Sequence, residues 1–114
     1  MSYVHEGATD KALAELSEMA AIDTAGRDLV ALSGALALMG NVLLEAGRVD
    51  EAAAKFGEQV ATIDKSDVAP QVKEGTHRQA LFDEARVALA RNDVAAARAE
   101  AAATAAAARN IQPT

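Results

Sequence analysis

Catalysis in this chain would have to start from histidine and carboxylate spacing. His77 follows Glu74 by three residues, the Glu-x-x-His spacing with which some helical bundles hold a pair of iron ions. Such a centre needs two of these pairs and two further carboxylates. The only other histidine is His5, so His77 reads as a surface residue. Asp83 and Glu84 are neighbours that point to different sides of a helix, which reads as solvation and not as an acid–base pair. No Gly-rich loop ending in Lys-Ser or Lys-Thr occurs, and no His-Glu-x-x-His. The absence of cysteine removes thiolate nucleophiles, disulfides and Cys-based zinc sites together. The expectation is a chain that is not an enzyme and carries no cofactor and no metal.

The residues must then be understood through the elements that carry them. At 114 residues the chain is read as one domain. About a quarter of it is alanine, with one Tyr, two Phe and no Trp, a mixture that favours closely approaching helices over a bulky aromatic core. Two prolines and few β-branched runs leave no convincing strand. The fold class is all-α.

The net charge of −6 argues against nucleic acid and anionic membranes as partners, since both call for clustered Lys and Arg. Residues 1–67 carry net −7 and residues 68–114 net +1, which reads as a solvated charge face. High Ala and Arg with little Lys is the composition of a GC-rich bacterial genome. Lack of Cys does not fix the compartment. The cytoplasm is favoured, and the periplasm stays open if a signal lies upstream of this chain.

The organising stretch is residues 36–56. Leu36, Met39, Gly40 and Leu43 recur at helical spacing, Gly47 interrupts, and Ala52 and Phe56 resume four residues apart. This is a helical hairpin. A helix over 25–46, capped by Asp23 or Thr24, is uncharged from 29 to 44, too short to span a bilayer and diluted by Ser33, Gly34, Gly40 and Asn41. Its apolar residues, Val30, Leu38 and Leu44 among them, go most of the way round, so it asks for cover on two sides. Gly47 ends it left-handed, and 49–63 returns with Ala52, Phe56, Val60 and Ile63 inward and Glu51 paired with Lys55 outside. Gly40 would admit the returning helix to close contact.

An amphipathic helix over 9–22 precedes this hairpin, with Ala12, Leu13, Leu16, Met19 and Ala20 on one side. After the polar interruption at 64–69, Pro70 opens a helix over 70–91 with Val72, Leu81, Phe82, Ala85, Ala88 and Leu89 apolar. Asn92 is expected to end it and Asp93 to cap a last, alanine-rich helix over 94–109, which Asn110 and Pro113 end. Three turns thus align, at Gly7, Gly47 and Asn92, each followed five residues later by Ala12, Ala52 and Ala97.

This pattern resembles the tetratricopeptide repeat, whose W-x2-L-G-x2-Y followed by A-x3-F marks stacked helix pairs. Leu36, Met39, Gly40, Leu43, Ala52 and Phe56 stand in those places, although Asp64 replaces the usual proline. In the next unit Leu81, Ala85, Ala88 and Ala97 fit, while Glu84 stands in an inward place and Ala101 replaces the aromatic. The resemblance implies about five helices, in antiparallel hairpins stacked as a right-handed solenoid. Its units would be a partial repeat over 1–22 and repeats over 25–64 and 70–109, longer than the family's usual ~34 residues, in a piece of a longer repeat protein.

The resemblance also implies a groove, lined by the first helices of the hairpins, that binds a peptide or another protein. The groove residues would be Leu38, Asn41 and Glu45 of the middle unit, with Gly34, and Gln79, Phe82 and Arg86 of the next, with Asp83 and Ala90. Asn41 is where some relatives hold a peptide carboxylate, and Arg86 could fork onto an acidic group. Ala37 stands where such a clamp needs Lys, so the clamp is not supported. Replacing Asn41 and Arg86 by Ala is expected to spare folding and weaken a groove ligand. The alternative is self-association as a homodimer or assembly unit, through the far side of the 29–44 helix and the alanine-rich last helix, disrupted by Glu at Ala101 or Ala105.

Overall fold

The computed structural model describes residues 3–110, which form four α-helices and no strand. They are α1 (Tyr3–Ala25), α2 (Leu29–Glu45), α3 (Val49–Lys65) and α4 (Pro70–Asn110). The all-α expectation holds, but the described residues hold four helices, not five. Two of the three aligned turns do not form: Gly7 lies inside α1, and Asn92 and Asp93 lie inside α4. A single Gly or Asn inside a helix costs only about 0.5–1 kcal/mol. After Asn92 comes a run of the best helix formers, with little apolar area to gain by folding back. Pro113, expected to follow the last helix, and residues 1–2 of the expected partial repeat lie outside the described residues.

The two turns that do form share one hydrogen-bond pattern. Asp28 N–H donates to Asp23 C=O (2.9 Å) and Arg27 N–H to Thr24 C=O (3.2 Å); Arg48 N–H donates to Leu43 C=O (2.9 Å) and Gly47 N–H to Leu44 C=O (3.1 Å). Both are the helix end in which a left-handed residue lets two orphan carbonyls be satisfied. Gly47 takes that place at φ 80° and Arg27 at φ 57°. The first turn therefore falls at 26–28, and α2 starts at Leu29 instead of residue 25. Asp28, not Asp23 or Thr24, is its cap: Ala31 N–H donates to Asp28 Oδ1 (3.1 Å), while the Thr24 hydroxyl bonds back to Ala20 C=O (2.8 Å).

Neighbours along the chain pack as antiparallel pairs. Asp50 at the start of α3 meets Arg91, and Asp64 near its end meets His77, so α3 and α4 run in opposite directions. Leu36, Met39 and Leu43 of α2 and Ala52, Phe56 and Ile63 of α3 are buried; Leu43, Ala52 and Phe56 form one cluster with Val49 and with Val87 of α4, and Leu13 of α1 packs against it. The middle hairpin is thus as expected. A Cβ on Gly40 would come within 2.5–2.9 Å of three Phe56 ring atoms, so only glycine admits the ring there. On the surface the pairing differs: Glu51 binds Arg48 and Lys55 binds Glu58, each three residues away, in place of the expected Glu51–Lys55 pair.

The apolar face expected for the third helix is not its buried one. Leu81, Phe82 and Leu89 are more than half exposed and Ala85 and Ala88 are exposed, while Asp83 and Val87 are buried against α3 and α2. The solvation expected of Asp83 is therefore overturned, and Glu84, expected inward, is exposed. The 41 residues of α4 make about 60 Å of helix against about 25 Å for α3, which accounts for principal extents of 70 × 29 × 14 Å.

Candidate protein-binding face

α2 and α4 both pair with α3 and so run parallel, and one hydrogen bond joins them directly. Arg86 Nη1 donates to Asn41 Oδ1 (2.9 Å), two residues 45 apart in the chain. The same nitrogen donates to Asp83 Oδ1 (3.1 Å), which also accepts from Gln79 Nε2 (3.3 Å). Asp83 is 4% exposed, and burial of a carboxylate is tolerable only because it has charged and neutral donors around it. The guanidinium also lies over Phe56, 5.9 Å from the ring centre, which ties this polar cluster to the core.

Of the residues expected to line a groove, the structure brings four into this network: Asn41, Gln79, Asp83 and Arg86. Leu38 (51% exposed) and Phe82 (62%) are large apolar side chains open to solvent on the same two helices, and Glu45 is exposed with no ion pair among the described residues. Asn41 and Arg86 are partly buried and mutually engaged, so neither is a free surface group. The expectation that both could be replaced without harm to folding does not stand. Removing Arg86 strips the buried Asp83 of its cation. The sequence did hold a signal for Asp83: it lies four residues after Gln79 and three before Arg86, the spacings at which helical side chains meet.

Elsewhere the polar groups have structural partners. His77 Nε2 lies 2.8 Å from Asp64 Oδ1, and Lys73 Nζ donates to Asp64 C=O (3.0 Å), which fastens the start of α4 to the end of α3. The side chain of His5 lies outside the described ones. Among the described residues no group of three or more His, Cys, Asp or Glu is placed to hold a metal ion. No helix among them is long and apolar enough to cross a membrane. On the side of α4 away from Asn41, a cleft of about 250 Å³ opens between α3 and α4, lined by Ala53, Gly57, Val60, Ala80, Glu84 and Val87.

No protein-family model, no curated protein and no solved structure matches the chain.

Proposed function

We propose that this chain is a non-catalytic interaction scaffold that binds an extended peptide or protein segment along the face shared by α2 and α4. In this reading α2 and α3 form one hairpin of a tetratricopeptide-like right-handed stack, and α4 supplies the first helix of the next. The observation that carries it is the Arg86–Asn41 hydrogen bond, which sets side by side two residues occupying the same place in successive units. Leu38 and Phe82 provide apolar contact area beside that polar seam, and the unshared N–H groups of Arg86 supply donors for an acidic or carbonyl group of the ligand.

The test uses peptides selected on the wild-type protein from a random library. Leu38→Glu with Phe82→Glu alters two exposed side chains, so the thermal melt should be unchanged while binding of the selected peptides falls at least tenfold. Failure to enrich any peptide, or binding that survives the double variant, would remove the reading.

A further inference from the structure

Three places recur down the contact between α3 and α4. Asp50, Gly57 and Asp64 of α3 stand seven residues apart, about two helical turns, and Arg91, Glu84 and His77 of α4 do so in the opposite direction. The outer two places are cross-helix pairs: Arg91 Nη2 donates to Asp50 Oδ1 (3.2 Å), and His77 Nε2 lies 2.8 Å from Asp64 Oδ1. These pairs fix the antiparallel register, which sets Glu84 level with Gly57. At the middle place a carboxylate therefore faces a residue with no side chain. Glu84 is exposed, and its carboxylate has no partner among the described residues.

The cleft of about 250 Å³ between the two helices opens at this same place, with Gly57 and Glu84 both on its wall. Buried Phe56 and Val87 form its floor, and Ala53, Val60 and Ala80 complete the lining. Gly57 keeps it open. A Cβ there would meet no atom within 4 Å, so no contact inside the chain calls for a poor helix former in the middle of α3. The other charged residue on the wall, Arg91, is already held by Asp50.

We infer that this cleft binds a small organic cation, an arylalkyl ammonium, whose charge takes the place left empty opposite Gly57 and whose apolar body fills the space beneath. Charge decides the sign of the ligand, because the one unpaired charge on the wall is negative and an ammonium can donate to it. Size decides its body: 250 Å³ is the volume of roughly eight waters, which suits a phenyl ring on a two-carbon arm and not a partner's helix. Lining chemistry supplies the gain, since water among these apolar side chains finds few partners and is readily displaced. The cleft lies on the side of α4 away from Asn41, so the inference does not depend on the peptide-binding reading.

The test is a titration followed by amide chemical shifts, with three compounds of one shape: 2-phenylethylammonium, 2-phenylethanol and 3-phenylpropanoate. Saturable shifts should centre on Ala53, Gly57, Ala80 and Glu84, in the roughly millimolar range expected of so small a ligand. The ammonium should bind about three- to fivefold tighter than the alcohol, the effect of one exposed ion pair, and the carboxylate should bind weakest. Glu84→Gln should leave the alcohol unchanged and bring the ammonium down to it. Gly57→Leu, whose side chain has room to enter the cleft, should abolish binding of both without lowering the melting midpoint. The inference is overturned if no compound saturates, if ammonium and alcohol bind the wild type equally, if Glu84→Gln keeps the preference, or if Gly57→Leu binds as the wild type does.

Discussion

Gly40→Ala is the sharpest test of the α2–α3 packing, because the same substitution at Gly34 provides its control six residues away in the same helix. Alanine in place of a mid-helix glycine stabilises by up to about 1 kcal/mol when nothing opposes it. At Gly34 a Cβ meets no atom within 4 Å, so that gain should appear. At Gly40 the Cβ would stand 2.5, 2.8 and 2.9 Å from Cε1, Cδ1 and Cζ of Phe56, whereas carbon atoms prefer roughly 3.5–4.0 Å. The ring would have to move by about 1 Å. It is 6% exposed and wedged among Leu43, Ala52 and Val87, so it has little room.

Overpacking of this kind costs about 1–3 kcal/mol. Set against the helix gain, Gly40→Ala should come out neutral to about 2 kcal/mol destabilising, and should lie about 1–3 kcal/mol below Gly34→Ala. For a domain of this size that is a gap of roughly 4–12 °C between the two melting midpoints. Circular dichroism melts of both variants measure it. A second arm repeats Gly40→Ala in a Phe56→Val background, where removal of the ring should turn the effect stabilising. Equal rises in midpoint for Gly34→Ala and Gly40→Ala would refute the close packing.

Three further outcomes follow from the same contacts. Arg86→Ala should cost about 2–4 kcal/mol in urea unfolding, because it leaves the buried Asp83 with Gln79 alone, while Asn41→Ala should cost only about 0.5–1.5 kcal/mol; the reverse order would contradict the network. Arg27→Gly should stabilise by about 1 kcal/mol, since Arg27 holds a left-handed conformation that glycine adopts freely, and a lower unfolding midpoint for that variant would count against the turn as described. The Glu51 carboxyl is held below the usual carboxylate range by its hydrogen bonds from Arg48. Its contribution is therefore present above the unfolded carboxylate range and disappears as pH falls through its lower folded value. The denaturation midpoints of wild type and Glu51→Gln should differ near neutral pH and converge in acid, and a difference that persists there would exclude the ion pair as its source.

How far the chain was legible can be judged element by element. The hairpin over 36–56 and the close approach at Gly40 are legible, because a large aromatic four residues after an alanine and a glycine in an apolar stripe leave few ways to pack; that the Phe56 ring is what fills the place over Gly40 comes from the structure. The turn at 26–28 is hidden because its left-handed residue is Arg27, one place after Gly26, whereas Gly47 holds that place itself, and because Asp23 and Thr24 are equally good caps by residue type alone. In α4 the apolar spacing offers Leu81 and Leu89 as a contact face, but the network through Asp83 and Arg86 turns a different side toward α2 and α3.

The sequence by itself determined that the chain is helical, where its tightest hairpin turns, and which residues form that hairpin's core. These rest on local propensity and on short-range periodicity, both properties of neighbouring residues. Tertiary structure alone decided that Asp83 is buried and that Asn41 and Arg86 bind each other. Each is a balance between a small local preference and contacts with residues tens of positions away, and no window of sequence contains both sides of such a balance.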